Sequence, residues 1–196
     1  MLRAIILFGA VGAALMLYFS LALYVFPQSF KSMEPNRPEP IVMNVSLRAS
    51  EIEFGQAIVV SITGANRGED ADMQIVSVGF PNLTGTNDID ILAHNFAQTP
   101  ILISIGDKVG SEYSGTEKTI EAQYASVEAF SRPWPGGNAY SIDLQVRPET
   151  EGRFAIFVKS VAFPHSWDGA HWPQEGVVDY QKEFVEVYYV EVVTKP

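Results

Sequence analysis

From Ala4 to Phe30 the chain contains no charged residue, and this gap constrains the fold of everything around it. Residues 5–26 read IILFGAVGAALMLYFSLALYVF. About 20 apolar residues rising ~1.5 Å each match a hydrocarbon layer ~30 Å thick. A helix satisfies every backbone N–H and C=O internally, as a single segment must in lipid. A helix on the surface of a soluble domain needs a polar stripe, and this segment has none. Tyr18 and Tyr24 lie in its C-terminal half, Tyr24 near the expected interface, and Pro27 ends the helical pattern. The expectation is a single-pass transmembrane helix over residues 1–27, with the lipid bilayer as its partner.

Three fates of this segment stay open. An uncleaved anchor fits its length, which exceeds the apolar region of an ordinary signal peptide. Cleavage after Ala22 would use the small pair Ser20 and Ala22, but the bulky run that follows opposes it. Arg3-Ala4 directly before Ile5-Ile6 resembles an archaeal type IV pilin processing site, which would imply a filament subunit with the helix as its polymerising element. Gly9, Ala10, Gly12, Ala13 and Ala14 would permit close helix–helix approach. Positive charge does not orient the segment, because Arg3 and the amino terminus face Lys31 and Arg37. A short N-terminal tail, an acidic remainder and two sequons, Asn44-Val45-Ser46 and Asn82-Leu83-Thr84, place the C-terminal region outside the cytoplasm, with Asn44 and Asn82 as glycosylation candidates.

The full chain carries a formal net charge of −10, and the acidity is concentrated beyond the apolar segment. Arg3, Lys31 and Arg37 are its only Lys or Arg before Ile41, and Glu34 and Glu39 its only acidic residues there. A polyanion such as nucleic acid is repelled by such a field, so nucleic-acid partners are set aside. With no cysteine, disulfides, thiolate-zinc sites and thiol nucleophiles are excluded.

Residues 28–40 include Pro35, Pro38 and Pro40, which favour an extended, semi-rigid linker. The folded domain is expected over 41–196. Ile41, Met43, Val45 and Leu47 alternate with Val42, Asn44, Ser46 and Arg48; Ile58, Val60 and Ile62 do the same, as do Tyr140, Ile142, Leu144 and Val146, then Phe154, Ile156 and Val158. Period-two patterning marks strands with one buried face. Met73 to Phe80 and Phe184 to Val193 read as further strands, with shorter ones at 90–94 and 100–105. Turns are expected at Glu53-Phe54-Gly55-Gln56, at Asn66-Arg67-Gly68 and from Pro148 to Gly152. Residues 117–130 divide between a helix, led by Ser114 and Glu117 as a capping box, and another strand. Strands without alternating helices indicate an antiparallel β-sandwich.

Ser50-x-Ile52-x-x-Gly55-Gln56, Asn66-x-Gly68 and Ala71, followed later by Val146-x-Pro148 and Gly152-x-Phe154-x-Ile156-x-Val158-Lys159, resemble the opening and closing strands of archaeal-type membrane-anchored surface proteins with an immunoglobulin-like, CARDB-like domain. The resemblance implies an immunoglobulin-like antiparallel β-sandwich with adhesive or envelope-assembly roles and no catalytic residue. A domain starting at Ile41 is longer than the ~100 residues usual for that fold. The surplus falls at 106–138 and 164–176, and loops of that size are uncommon without a use.

Residues 164–173, PHSWDGAHWP, hold two of the three histidines and two of the three tryptophans. Trp167 and Trp172, with Trp134 in Arg132-Pro133-Trp134-Pro135, are candidate contact anchors, or else they fold inward. His165, Asp168 and His171, joined by His94, are candidate ligands for copper or zinc, although their spacing matches no established signature. No G-x-S-x-G, P-loop, G-x-G-x-x-G or H-E-x-x-H occurs. The reading that results is a non-catalytic surface module without an obligatory cofactor, contacting an envelope or membrane protein or a glycan. A pilin-like subunit and a metal-binding accessory subunit of a membrane enzyme are the alternatives.

Overall fold

The computed structural model describes Tyr18 and residues 37–109, 120–164 and 176–194. The chain divides into two units, Met1–Pro35 and Asn36–Pro196. Apart from Tyr18, which is helical, the apolar segment lies outside the described residues. Among those residues no helix is long and apolar enough to cross a membrane.

The second unit is built from strands: β1 Pro40–Leu47, β2 Glu51–Glu53, β3 Ile58–Asn66, β4 Met73–Phe80, β5 Ile89–His94, β6 Ile101–Ile103, β7 Lys108–Val109, β8 Ile120–Glu121, β9 Ala125–Ser131, β10 Ala139–Val146, β11 Gly152–Phe163, β12 Val177–Val178 and β13 Phe184–Val193. A four-stranded sheet runs β1-β3-β10-β5. A larger one runs β12-β13-β11-β4-β9-β6, with β2 also paired to β13. The pairings are antiparallel except β2 with β13, which is parallel. Ile58, Val60, Ile62, Ile142, Leu144 and Val146 of the first sheet meet Val76, Val78, Val127, Phe154, Ile156 and Val158 of the second in one core. The domain is therefore mainly β, with two sheets packed face to face.

Period-two patterning located β3, β10 and β11 correctly, because each has one face in this core. It failed in β1. A bulge lies between Val42 and Asn44, so Met43 is 51% exposed while Val42, Val45 and Leu47 pack on the core. One extra residue shifts the side-chain parity of a strand. The strand alternative holds within 120–130, as β8 and β9; Ser114 and Glu117 lie outside the described residues.

The domain also reaches back beyond Ile41, to Arg37. The Arg37 N–H donates to Glu69 Oε2 at 2.9 Å, and Arg37 O accepts from the Glu69 N–H at 3.0 Å. The buried Asn66 accepts from the N–H groups of Glu39 and Gly68 through Oδ1 at 2.9 and 3.0 Å, and donates Nδ2 to Glu69 O at 2.6 Å. Gly68 is required here for space rather than for a positive φ. A Cβ would stand 2.2 Å from Arg37 O and 2.7 Å from Glu39 N, both backbone atoms. Gly55 and Gly152, by contrast, do adopt φ of 90° and 101° in their turns.

Gly68→Ala is expected to lower domain stability by about 1–3 kcal/mol, the cost of forcing backbone apart in a packed site. Gly85→Ala, where a Cβ meets nothing within 4 Å, is the control and should stay within about 0.5 kcal/mol. Chemical denaturation of both variants checks this; equal stabilities would contradict the tight approach at Gly68.

Candidate functional site

Of the three candidate tryptophans, the one within the described residues, Trp134, faces inward. Trp134 is fully buried, its backbone bridged to Ala71, and its ring sits edge-on to Tyr140 at 4.6 Å and to Phe96 at 5.6 Å. Its indole N–H donates to Asn138 O at 3.1 Å. Of the two roles open to Trp134, contact anchor or inward-folded ring, it takes the inward one and is not a contact anchor. The apolar ring closes the end of the core between the sheets, and its single polar atom is satisfied.

His94 ends β5 in an exposed position. Among the described residues no group of three His, Cys, Asp or Glu side chains is placed to hold a metal ion. His165, Trp167, Asp168, His171 and Trp172 lie outside the described residues. Asn44 and Asn82 are both exposed. Asn82 Oδ1 accepts the Ala155 N–H at 2.7 Å, and Thr84 Oγ1 of the same sequon donates to Glu149 at 2.9 Å.

Among the described residues the densest constellation lies elsewhere, on the outward face of the larger sheet. Ile156 and Val158 point into the core, so strand alternation turns Phe157 and Lys159 outward. Register carries the row sideways: Lys159 faces Ser77 of β4, and Ser77 faces Glu128 of β9. An outward lysine is ordinarily solvated, but this one is covered. Its side chain is 6% exposed and that of Asp179 is 0% exposed. Nζ lies 2.6 Å from Asp179 Oδ2 and 2.6 Å from Glu183 Oε2, and it also donates to Gln181 Oε1. All three ammonium donors are therefore used.

The cover is the connection from β12 to β13, folded around Asp179. Asp179 Oδ1 accepts the N–H groups of Gln181 and Glu183 at 2.9 and 3.0 Å, and Tyr124 OH donates to Oδ2 at 3.3 Å. The Tyr124 ring stands edge-on to Phe157 and Tyr180 at 5.6 and 5.0 Å. It lies directly over Gly79, where a Cβ would come within 2.4 Å of the ring. Burial, followed by the nearby Asp179 charge, pushes the Tyr124 hydroxyl far above the ordinary tyrosine range, and the same two causes raise Tyr180. Burial also raises the Glu128 carboxyl, with Lys159 opposing it. Lys159 itself is held above its usual value: burial lowers it, but Glu183 and then Asp179 outweigh that. Two carboxylates beside one ammonium in a dry site favour the charged lysine.

Chemically, this is an amine and a carboxyl in contact, shielded from water, with two backbone donors on one carboxyl oxygen. Sequence reasoning passed over it because a lone lysine in an alternating strand reads as a solvent-facing residue. Asp179-x-Gln181-x-Glu183 carries no signature, and only the fold brings it over β11.

No family model matches the chain, and no curated protein matches it. Among solved structures it is similar to a β-glucosidase from Listeria innocua, at 13% identity and a TM-score of 0.35 over 80% of this chain and 16% of that one. It is also similar to the cohesin–dockerin complex Coh-OlpA-Doc918 from Clostridium thermocellum, at 9% identity and 0.35 over 76% and 98%. A non-cellulosomal cohesin from Archaeoglobus fulgidus matches at 10% identity and 0.29 over 77% and 91%. The chain thus spans 16% of the length of the glucosidase it matches.

Lys159→Ala, which leaves buried Asp179 without its counter-charge, is expected to cost about 3–5 kcal/mol; denaturant unfolding of the variant measures it, and a loss below about 1 kcal/mol would contradict the burial. Alkali tests the tyrosines. Unfolded tyrosine ionises near pH 10, whereas Tyr124 and Tyr180 keep their protons in the fold, so above that pH the folded state binds more protons. Stability should therefore fall as pH rises past 10, and Tyr124→Phe should flatten that fall; an unchanged slope would contradict it.

Proposed function

We propose that the chain is a non-catalytic, single-pass membrane protein that displays an acidic, immunoglobulin-like β-sandwich outside the cytoplasm, where it contacts an envelope or membrane protein. The observation that carries this reading is the charge-free run from Ala4 to Phe30, followed after a Pro-rich linker by a strongly acidic domain. A solvent-facing net negative surface suits an aqueous exterior, and an apolar run of that length suits lipid. The exposure of Asn44 and Asn82 supports the outward orientation, since glycosylation sequons are used on surfaces. The short strands and the interleaved two-sheet core support a contact module, because such sandwiches present loops on a rigid frame.

Arg3-Ala4-Ile5-Ile6 favours one second reading, a pilin-like filament subunit processed before Ile5. The two readings share the helix and differ in whether it is trimmed.

Cells expressing the full chain with a C-terminal tag should retain it in the membrane fraction through an alkaline carbonate wash. Protease added to intact cells with the outer layers opened should remove the tag. A tag that stays protected, or a chain that stays in the supernatant with its first methionine intact, would overturn the proposal. A mature N-terminus at Ile5 would shift it to the filament subunit.

A further inference from the structure

We propose that Lys159 and Asp179 join through an intramolecular isopeptide bond that ties the β12–β13 connection covalently to β11. Four features of the site are those an acyl transfer needs. The first is proximity. Nζ lies 2.6 Å from Asp179 Oδ2, which puts it near attack distance of the carboxyl carbon, and both side chains are fixed by strand and turn. Reacting groups held this way behave as though present at very high concentration. The second is polarisation. The N–H groups of Gln181 and Glu183 both donate to Asp179 Oδ1, at 2.9 and 3.0 Å, where negative charge grows as the amine adds to the carbonyl carbon. The third is a proton acceptor: Glu183 Oε2, 2.6 Å from Nζ and partly open to solvent. The fourth is a donor for the departing oxygen, Tyr124 OH, 3.3 Å from Oδ2.

The reaction balances within these groups. An ammonium proton passes from Nζ to Glu183, and rotation about the Cε–Nζ bond turns the freed lone pair toward Asp179. The nitrogen attacks Cγ, with the developing charge on Oδ1 held by the two backbone N–H groups. The Cγ–Oδ2 bond then breaks. Oδ2, hydrogen-bonded by Tyr124 OH, leaves as water, carrying the proton returned by Glu183 and one more from nitrogen. Nζ keeps the last of its three hydrogens as the amide N–H, no oxidant or reductant is involved, and Glu183 and Tyr124 end as they began. Water exclusion drives the step. A buried ion pair bears the desolvation cost of both charges, whereas a buried amide bears neither, and the expelled water leaves a site where both side chains are almost fully covered.

The experiment is the intact mass of the full-length protein, purified in mild detergent and then denatured, followed by a tryptic map. The expected result is a chain lighter by one water, about 18 Da, in which trypsin does not cut between Lys159 and Ser160 and residues 154–182 are recovered as one dehydrated peptide. Lys159→Arg should restore the full mass. A wild-type chain of full mass that is cut after Lys159 overturns the proposal, and that measurement decides it even if the variant fails to fold. A water deficit that persists in Lys159→Arg also overturns it, because the loss would then be a cyclic imide at an aspartate rather than a bond to Lys159. Neither result depends on where in the cell the chain resides.

Discussion

A lysine has been taken out of water on the outside of a sheet, and the arrangement of that side of the domain follows from the need to satisfy it. β4 is buried along its whole length, which an edge or one-sided strand would not be. One face of it enters the core through Val76 and Val78, and the other carries Ser77, between Lys159 of β11 and Glu128 of β9, and Gly79 beneath the Tyr124 ring. Once Lys159 is covered, its ammonium requires acceptors, and the β12–β13 connection supplies three from Asp179, Gln181 and Glu183. The turn that delivers them is closed by Asp179 on its own backbone, so holding the lysine and shaping the cover are one set of contacts.

The region around Asn66 and Gly68 solves a different problem with backbone. Asn66 and Gly68 let residues 37–39 lie against β3 and the turn after it, and Gly136 approaches Gly68 so closely that a Cβ would stand 2.3 Å from its carbonyl oxygen. Trp134 then fills the space between the sheets at that end. Gln74 ties the two sheets there, donating to Ala65 O of β3 and Ser160 Oγ of β11 at 3.0 and 2.9 Å. Apolar packing sets the sandwich, and a few buried polar side chains fix how its parts meet.

Much of this architecture was legible in the sequence, for a physical reason. Strands with one face in the core must alternate, so Ile58 to Ile62, Ile142 to Val146 and Phe154 to Val158 revealed themselves. Met43 did not, because a bulge leaves no mark in an alternating string. Trp134 was ambiguous because composition cannot say which way an indole turns. The Lys159 site was the least legible: its partners lie some twenty residues away along the chain on a segment without a motif, and a single lysine in a β-strand has the same spelling whether water or Asp179 meets it. The apolar N-terminal segment is the reverse case, fully legible as composition and lying outside the described structure.

The exclusion of water from Lys159 is open to a direct chemical measurement. Brief treatment of the native protein with a water-soluble amine-acylating reagent, followed by peptide mass mapping, should modify the exposed Lys108 and Lys182 and leave Lys159 untouched. Acylation of Lys159 at the rate of those two residues would show that solvent reaches the ammonium, and the account of the outer face would be wrong.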